Sequence, residues 1–208
     1  MPLDFLISAL VTLVVVVDPL GLVPSFIAIT HGLPERSRRH VALRACLIAA
    51  GILAGSALIG DWLLRTLAIG LPAFRIAGGL LFFSIASEMV LGVRTERQSR
   101  EAEDALEERV RNIAAFPLAI PLMAGPGAIT AAVLLAGRTG GDPWHMAALL
   151  GVIALVLALC FVVFEFAARI AKLLGTTANV VLSRLLGVLL AALAVQFVID
   201  GVRAVLAG

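Results

Sequence analysis

Two short stretches hold the residues whose types and spacing could do chemistry. VVVVDPLGLVP, Val14 to Pro24, sets Asp18 and Pro19 inside an apolar run, with Gly21 and Pro24 following. FPLAIPLMAGPGAITAAVLLAG, Phe116 to Gly137, sets Gly125, Pro126 and Gly127 inside another, with Thr130 one turn further on. Proline has no amide hydrogen and clashes with the preceding turn, so a continuous helix through either stretch is penalised. A broken helix exposes amides at the start of its second segment and carbonyls at the end of its first. In hydrocarbon each such group costs several kcal/mol unless it lines a cavity or meets a ligand. The amide ends suit a carboxylate and the carbonyl ends an ammonium or a cation. Proline in the first helical turn is preorganised for such a start. Two opposed breaks therefore offer the two poles an amino-acid zwitterion needs. Asp18 adds a negative group for an ammonium, a cation or a relayed proton. Thr130 could hydrogen-bond a ligand or simply bond back to its own helix.

A lone proline in a membrane helix is most often only a kink. The pairing changes that reading. Pro19 and Pro126 are 107 residues apart, and interruptions at corresponding places in two halves point to a midplane binding site. An intramembrane acid is expensive and usually functional.

The elements that must position these residues are legible in the composition. Of 208 residues, 61% are apolar and 14% charged, and the mean hydropathy is +1.08. A soluble domain lies nearer half apolar and a quarter charged, so the chain belongs to the membrane class. A bilayer core of about 30 Å needs roughly 20 apolar helical residues. Six stretches qualify, near 4–30, 41–62, 72–93, 113–137, 145–168 and 180–204. In the second, Gly51, Gly55, Ser56 and Gly60 have the spacing for close helix contact. Between the third and fourth runs RTERQSREAEDALEERVR, Arg94 to Arg111, whose charges nearly cancel. Glu96 with Arg100 and Glu107 with Arg111 have helical i,i+4 spacing. This reads as a solvated linker, dividing the chain into 1–93, 94–112 and 113–208.

Basic residues set the topology. Loops after the first, third and fifth spans, with their flanks, hold twelve of the sixteen, including Arg36, Arg38, Arg39, Arg94, Arg169 and Lys172. The other side holds Arg65, Arg75, Arg138 and Arg203. The positive-inside rule places both termini outside the cytoplasm, with Trp62 and Trp144 as interfacial anchors at the outer ends. The N-terminus carries Asp4 and no basic residue, so it reads as a retained span rather than a signal peptide.

The chain also repeats itself. RIAGGLLFFSIASEMVLGVR from Arg75 and RLLGVLLAALAVQFVIDGVR from Arg184 share Arg75/Arg184, Gly78/Gly187, Gly92/Gly201 and Arg94/Arg203, besides leucine and valine matches. Three spans per half make the second half enter from the opposite face. That is an inverted repeat, a construction common among secondary transporters. The expected fold is thus an all-α integral membrane protein of six transmembrane helices in two inverted three-helix repeats, with helices 1 and 4 discontinuous.

Other polar residues read as structural. Glu165 with Arg169 forms an i,i+4 interfacial pair, Glu88 snorkels in preference to serving a proton path, Asp61 and Asp200 lie near outer span ends, and Gln196 bridges helices. Cys46 and Cys160 lack metal-type spacing and read as small buried hydrophobes. His31, His40 and His145 form no cluster. P-loop, HExxH and GxSxG motifs are absent. No basic patch points to nucleic acid, and the partner the composition implies is the lipid bilayer.

DPLGLVPSFIAIT (18–30) and FPLAIPLMAGPGAITAAVL (116–134) resemble the paired signatures of the MarC family of integral membrane proteins. The resemblance extends over essentially the whole chain. It implies a neutral amino acid transporter-like inner-membrane protein, driven by protons or sodium, without a cofactor or metal. It also implies breaks at Asp18-Pro19-Leu20-Gly21 and Gly125-Pro126-Gly127. Two other readings fit the same sequence: a passive channel or facilitator, and a non-transporting membrane scaffold, which leaves Asp18 without a role.

Overall fold

The computed structural model of the protein describes residues 3–94, 97 and 118–207. The elements are α1 (Leu3–Val17), α2 (Val23–Ile29), α3 (Glu35–Thr66), α4 (Leu71–Leu91), a π-helical turn (Leu118–Met123), α5 (Pro126–Gly137), α6 (Pro143–Glu165) and α7 (Ala167–Ala207). Among the described residues there is no strand. The linker pairs Glu96–Arg100 and Glu107–Arg111, and the start of the fourth expected span, lie outside them.

Among the described residues, four helices are long and apolar enough to cross a membrane: Glu35–Thr66, Leu71–Leu91, Pro143–Glu165 and the Ala178–Ala207 part of α7. The two segments at the proline motifs are apolar but short, 15 residues in α1 and 12 in α5. At ~1.5 Å per residue they reach about 22 and 18 Å, less than a bilayer core of about 30 Å.

Two helices are longer than the sequence suggests. α3 starts at Glu35, not near 41, because Pro34 sits extended as its N-cap and Glu35 lies in the first turn, where the helix dipole favours an acid. The expected loop at 169–179 is helical: α7 starts directly after Phe166 and contains no proline. Arg169 and Lys172 therefore ride on its first turns.

α4 and α7 form the most extensive helix pair, and glycine lets their backbones meet. A Cβ at Gly79 would lie 2.7 Å from the Ala194 carbonyl oxygen, and one at Gly201 would lie 2.8 Å from that of Pro72. Phe82 and Phe197 meet edge to face at 5.5 Å between them. The small residues of α3 pack differently from their sequence reading. Gly60 packs on Val133 of α5, while Gly51 and Gly55 face open space, and Ser56 donates to the Ile52 carbonyl of its own helix at 2.7 Å.

Arg39 and Glu165, 3.8 Å apart, join the start of α3 to the end of α6. The two helices are thus antiparallel, and Trp62 and Trp144 share the opposite end, 64% and 78% exposed. This pair replaces the Glu165–Arg169 contact: Arg169 instead lies over the Phe166 ring at 5.6 Å. Gln196 does not bridge helices but donates to Asp200 Oδ1 on its own helix at 2.7 Å. Cys46 and Cys160 are free and buried.

Candidate functional site

The apolar helix α1 ends at the Asp18 motif at a defined point. The last bond of α1 runs from the Asp18 amide to the Val14 carbonyl at 2.9 Å. Asp18 then takes φ +52°, a left-handed conformation that aspartate and asparagine tolerate better than most residues. Pro19 follows, buried, and cannot continue the amide ladder. The Asp18 side chain, 2% exposed, folds over the turn, where Oδ1 accepts the Gly21 N–H at 3.1 Å. Gly21 is required for this: a Cβ there would sit 2.2 Å from Asp18 Oδ2. The chain resumes as helix at Val23, with Pro24 in the first turn.

The second motif is built otherwise. The π-helical turn closes with the Ala124 amide on the Ala119 carbonyl at 2.8 Å. Gly125 is extended, φ −69° and ψ 174°, and caps α5 without a side-chain bond. Pro126 opens the helix, whose first bond runs from the Ile129 amide to Gly125 O at 3.0 Å. The Gly127 and Ala128 amides are therefore not used within the helix. Pro126 is exposed, unlike Pro19, and Leu20 is half-buried.

The two motifs meet. A Cβ at Gly127 would lie 3.3 Å from Val16 Cγ1 and 2.5 Å from Ile85 Cδ1 of α4. The start of α5 is thus laid against the end of α1, two residues before Asp18. Thr130 is buried one turn along, its methyl close to where a Gly78 Cβ would stand, 2.8 Å away. Asp18, Gly21, Gly127 and Thr130 all face the interior.

Two residues at the site escape the sequence reading. Arg94, first residue of the charged run and expected in solvent, is 6% exposed. Its Nη2 donates to the Val16 carbonyl at 2.8 Å, and its Nη1 to Met89 Sδ at 3.3 Å. The signal was Gly92, whose φ of +82° at the α4 C-cap turns the chain back. Thr12 lies one turn before Val16 on the same face of α1, 1% exposed, its hydroxyl without a hydrogen-bond partner among the described residues. Asp18 and Arg94 also change the expected poles. The carbonyl end of α1 is occupied by a guanidinium, and the Gly21 amide in the following turn by the Asp18 carboxylate.

At the other end, Arg138 after α5 donates to Ser8 Oγ of α1 at 3.3 Å, approaches Asp200 of α7 at 3.8 Å and lies 5.4 Å over Phe197. At the Arg39–Glu165 end, Phe26 of α2 stacks on Phe164 of α6 at 4.6 Å, both buried. Glu88 pairs with Arg97 at 3.1 Å.

Comparison with known proteins shows the family. The family model described as MarC family integral membrane protein matches residues 3–206. A UPF0056 membrane protein of Archaeoglobus fulgidus is 36% identical over 96% of this chain and 92% of its own length. Another from Methanocaldococcus jannaschii is 34% identical over 99% of this chain and 100% of its own. YhcE of Escherichia coli, also named a UPF0056 membrane protein, is 34% identical over 92% and 89%. No solved structure matches the chain. The matched segment holds both proline motifs and all the helices described above except the last residue of α7, and the chain belongs to the MarC family of integral membrane proteins.

Proposed function

We propose that the protein is an inner-membrane secondary transporter for a small neutral amino acid or similar metabolite, bound where the two interruptions meet. The observation that carries this reading is the approach of Gly127 to Val16 beside the buried Asp18. It brings two helix ends and an acid to one place inside the bundle, and intramembrane acids so placed mark substrate or ion pathways. The amides of Gly127 and Ala128 suit a carboxylate, Thr130 lines the same region, and Asp18 suits an ammonium or a coupling proton or sodium ion.

In this reading α1 with α2, and the π-helical turn with α5, are two interrupted spans, bringing the crossings to six. The packing supports an inverted repeat, because contacts occur in exchange-related pairs. α1 packs on α6 as the π-helical turn packs on α3, and α2 packs on α7 as α5 packs on α4. The basic-residue distribution supports both termini outside the cytoplasm.

The test is uptake of a labelled amino-acid panel into proteoliposomes, with and without imposed proton and sodium gradients. Gradient-driven accumulation of at least one neutral amino acid is expected. Flux that only equilibrates would favour the facilitator, and no flux for any substrate would favour the scaffold.

A further inference from the structure

The end of α1 presents a concentrated negative field. Its last carbonyls carry the negative end of the helix dipole, and no basic residue lies in its last turn to offset it. Asp18 follows at once, buried and confined by its own turn. Such an arrangement is unfavourable in a low-dielectric interior without a positive partner. That partner comes from another helix. Gly92 at the α4 C-cap reverses the chain so that Val93 faces outward and Arg94 inward. The guanidinium then sits on the Val16 carbonyl at 2.8 Å, two residues before Asp18.

We propose that the α1 carbonyl end and Asp18 form a monovalent-cation site that Arg94 fills as a tethered occupant, and that a guanidinium or ammonium group binds there when Arg94 is removed or displaced. The chemistry is that of a carbonyl-and-carboxylate cage: one positive group, donating to carbonyl oxygen and balancing one carboxylate. The proposal concerns the cation site itself. Only its extension, that a substrate ammonium exchanges with Arg94 during the cycle, rests on the transport reading.

The experiment is thermal unfolding of the purified full chain in detergent, which needs no substrate. The parent, Arg94→Ala, Arg94→Lys and Arg138→Ala are each titrated with guanidinium or sodium chloride against choline chloride, at fixed ionic strength and non-denaturing concentrations. Arg94→Ala is expected to be less stable than the parent. Guanidinium should raise its melting temperature saturably by about 2–4 °C or more relative to choline. The parent and Arg138→Ala should not respond, Arg94→Lys should stay near the parent, and Asp18→Asn in the Arg94→Ala background should abolish the rescue. Equal behaviour of Arg94→Ala in guanidinium, sodium and choline would overturn the proposal and leave Arg94 a packing tether. If Arg94→Ala does not accumulate, Arg94→Met, which keeps much of the buried stem, carries the same comparison. If neither accumulates, recovery of folded protein when Arg94→Ala is extracted in guanidinium supports the site, and no recovery overturns it. Rescue without uptake of any amino acid would remove the transport reading and leave the cation site standing.

Discussion

Asp18 combines three properties that usually occur apart: a left-handed backbone, near-complete burial, and a side chain bonded to its own turn. Substitutions can separate them. Asparagine tolerates the same backbone region, and its side-chain oxygen can still accept the Gly21 N–H, so Asp18→Asn removes mainly the charge. Under the transport reading it should fold and lose about 1.5–3 kcal/mol of substrate affinity, roughly 10- to 150-fold. Binding and initial uptake rate, normalised to folded protein, check this, and parental values for both would reduce Asp18 to a cap on a turn. Glu165→Gln is the comparison. The Glu165–Arg39 pair at 3.8 Å is substantially exposed, and exposed pairs contribute about 0–1 kcal/mol, so uptake should change little.

Among the elements, the glycines separate contact faces from lipid faces. Gly79→Ala would drive a methyl into the Ala194 carbonyl of α7, a backbone atom that cannot turn aside. It should destabilise by about 1–3 kcal/mol. Gly51→Ala on α3 meets nothing within 4 Å and should gain about 0.5–1 kcal/mol from helix propensity. Opposite shifts in melting temperature are the readout, and a destabilised Gly51→Ala would mean that this face is covered in the membrane. A second test lies at the start of α6. Asp142 accepts the Trp144 amide at 2.9 Å and also bonds the His145 ring. These contacts, the Trp144 bond foremost, hold its carboxyl below the usual range. A depressed carboxyl stabilises above its unfolded-state pKa, and that contribution is lost as pH falls through the folded value. Below about pH 4 the parent should lose stability faster than Asp142→Asn, which caps without titrating. Parallel melting-temperature profiles would remove the effect.

For the whole molecule, the strongest test is orientation. The antiparallel α3–α6 pair puts both exposed tryptophans at one end and Arg39 with Glu165 at the other. If the basic-rich side is cytoplasmic, alkaline phosphatase fused at Gly208 should be active and a fluorescent protein there dark. A bright fluorescent fusion would invert the arrangement and require a different number of crossings. The same orientation puts Arg138, with Ser8 and Asp200, on the outer side and the Phe26–Phe164 stack on the inner. Under the transport reading, these are the contacts that opening toward either face would have to release.

Composition and pattern alone determined the membrane class, the apolar segments and the places where two of them could not continue as helix. Those properties reside in single residues: hydrocarbon side chains partition without reference to neighbours, and proline lacks its amide in any fold. The family resemblance was likewise legible, because DPLGLVP and MAGPGAIT are local strings. Other features depended on partners distant in the chain. Arg94 belongs by sequence to a solvated charge run, yet Gly92 and the bare end of α1, 78 residues away at Val16, draw it inside. Glu165 had a helical neighbour in Arg169 and took Arg39 instead. Gly51 and Gly60, nine residues or two and a half turns apart, lie on opposite faces of α3, and only the face with Gly60 meets another helix, at Val133 of α5. Spacing along a helix says which residues share a face; what covers that face is set by how the other helices pack.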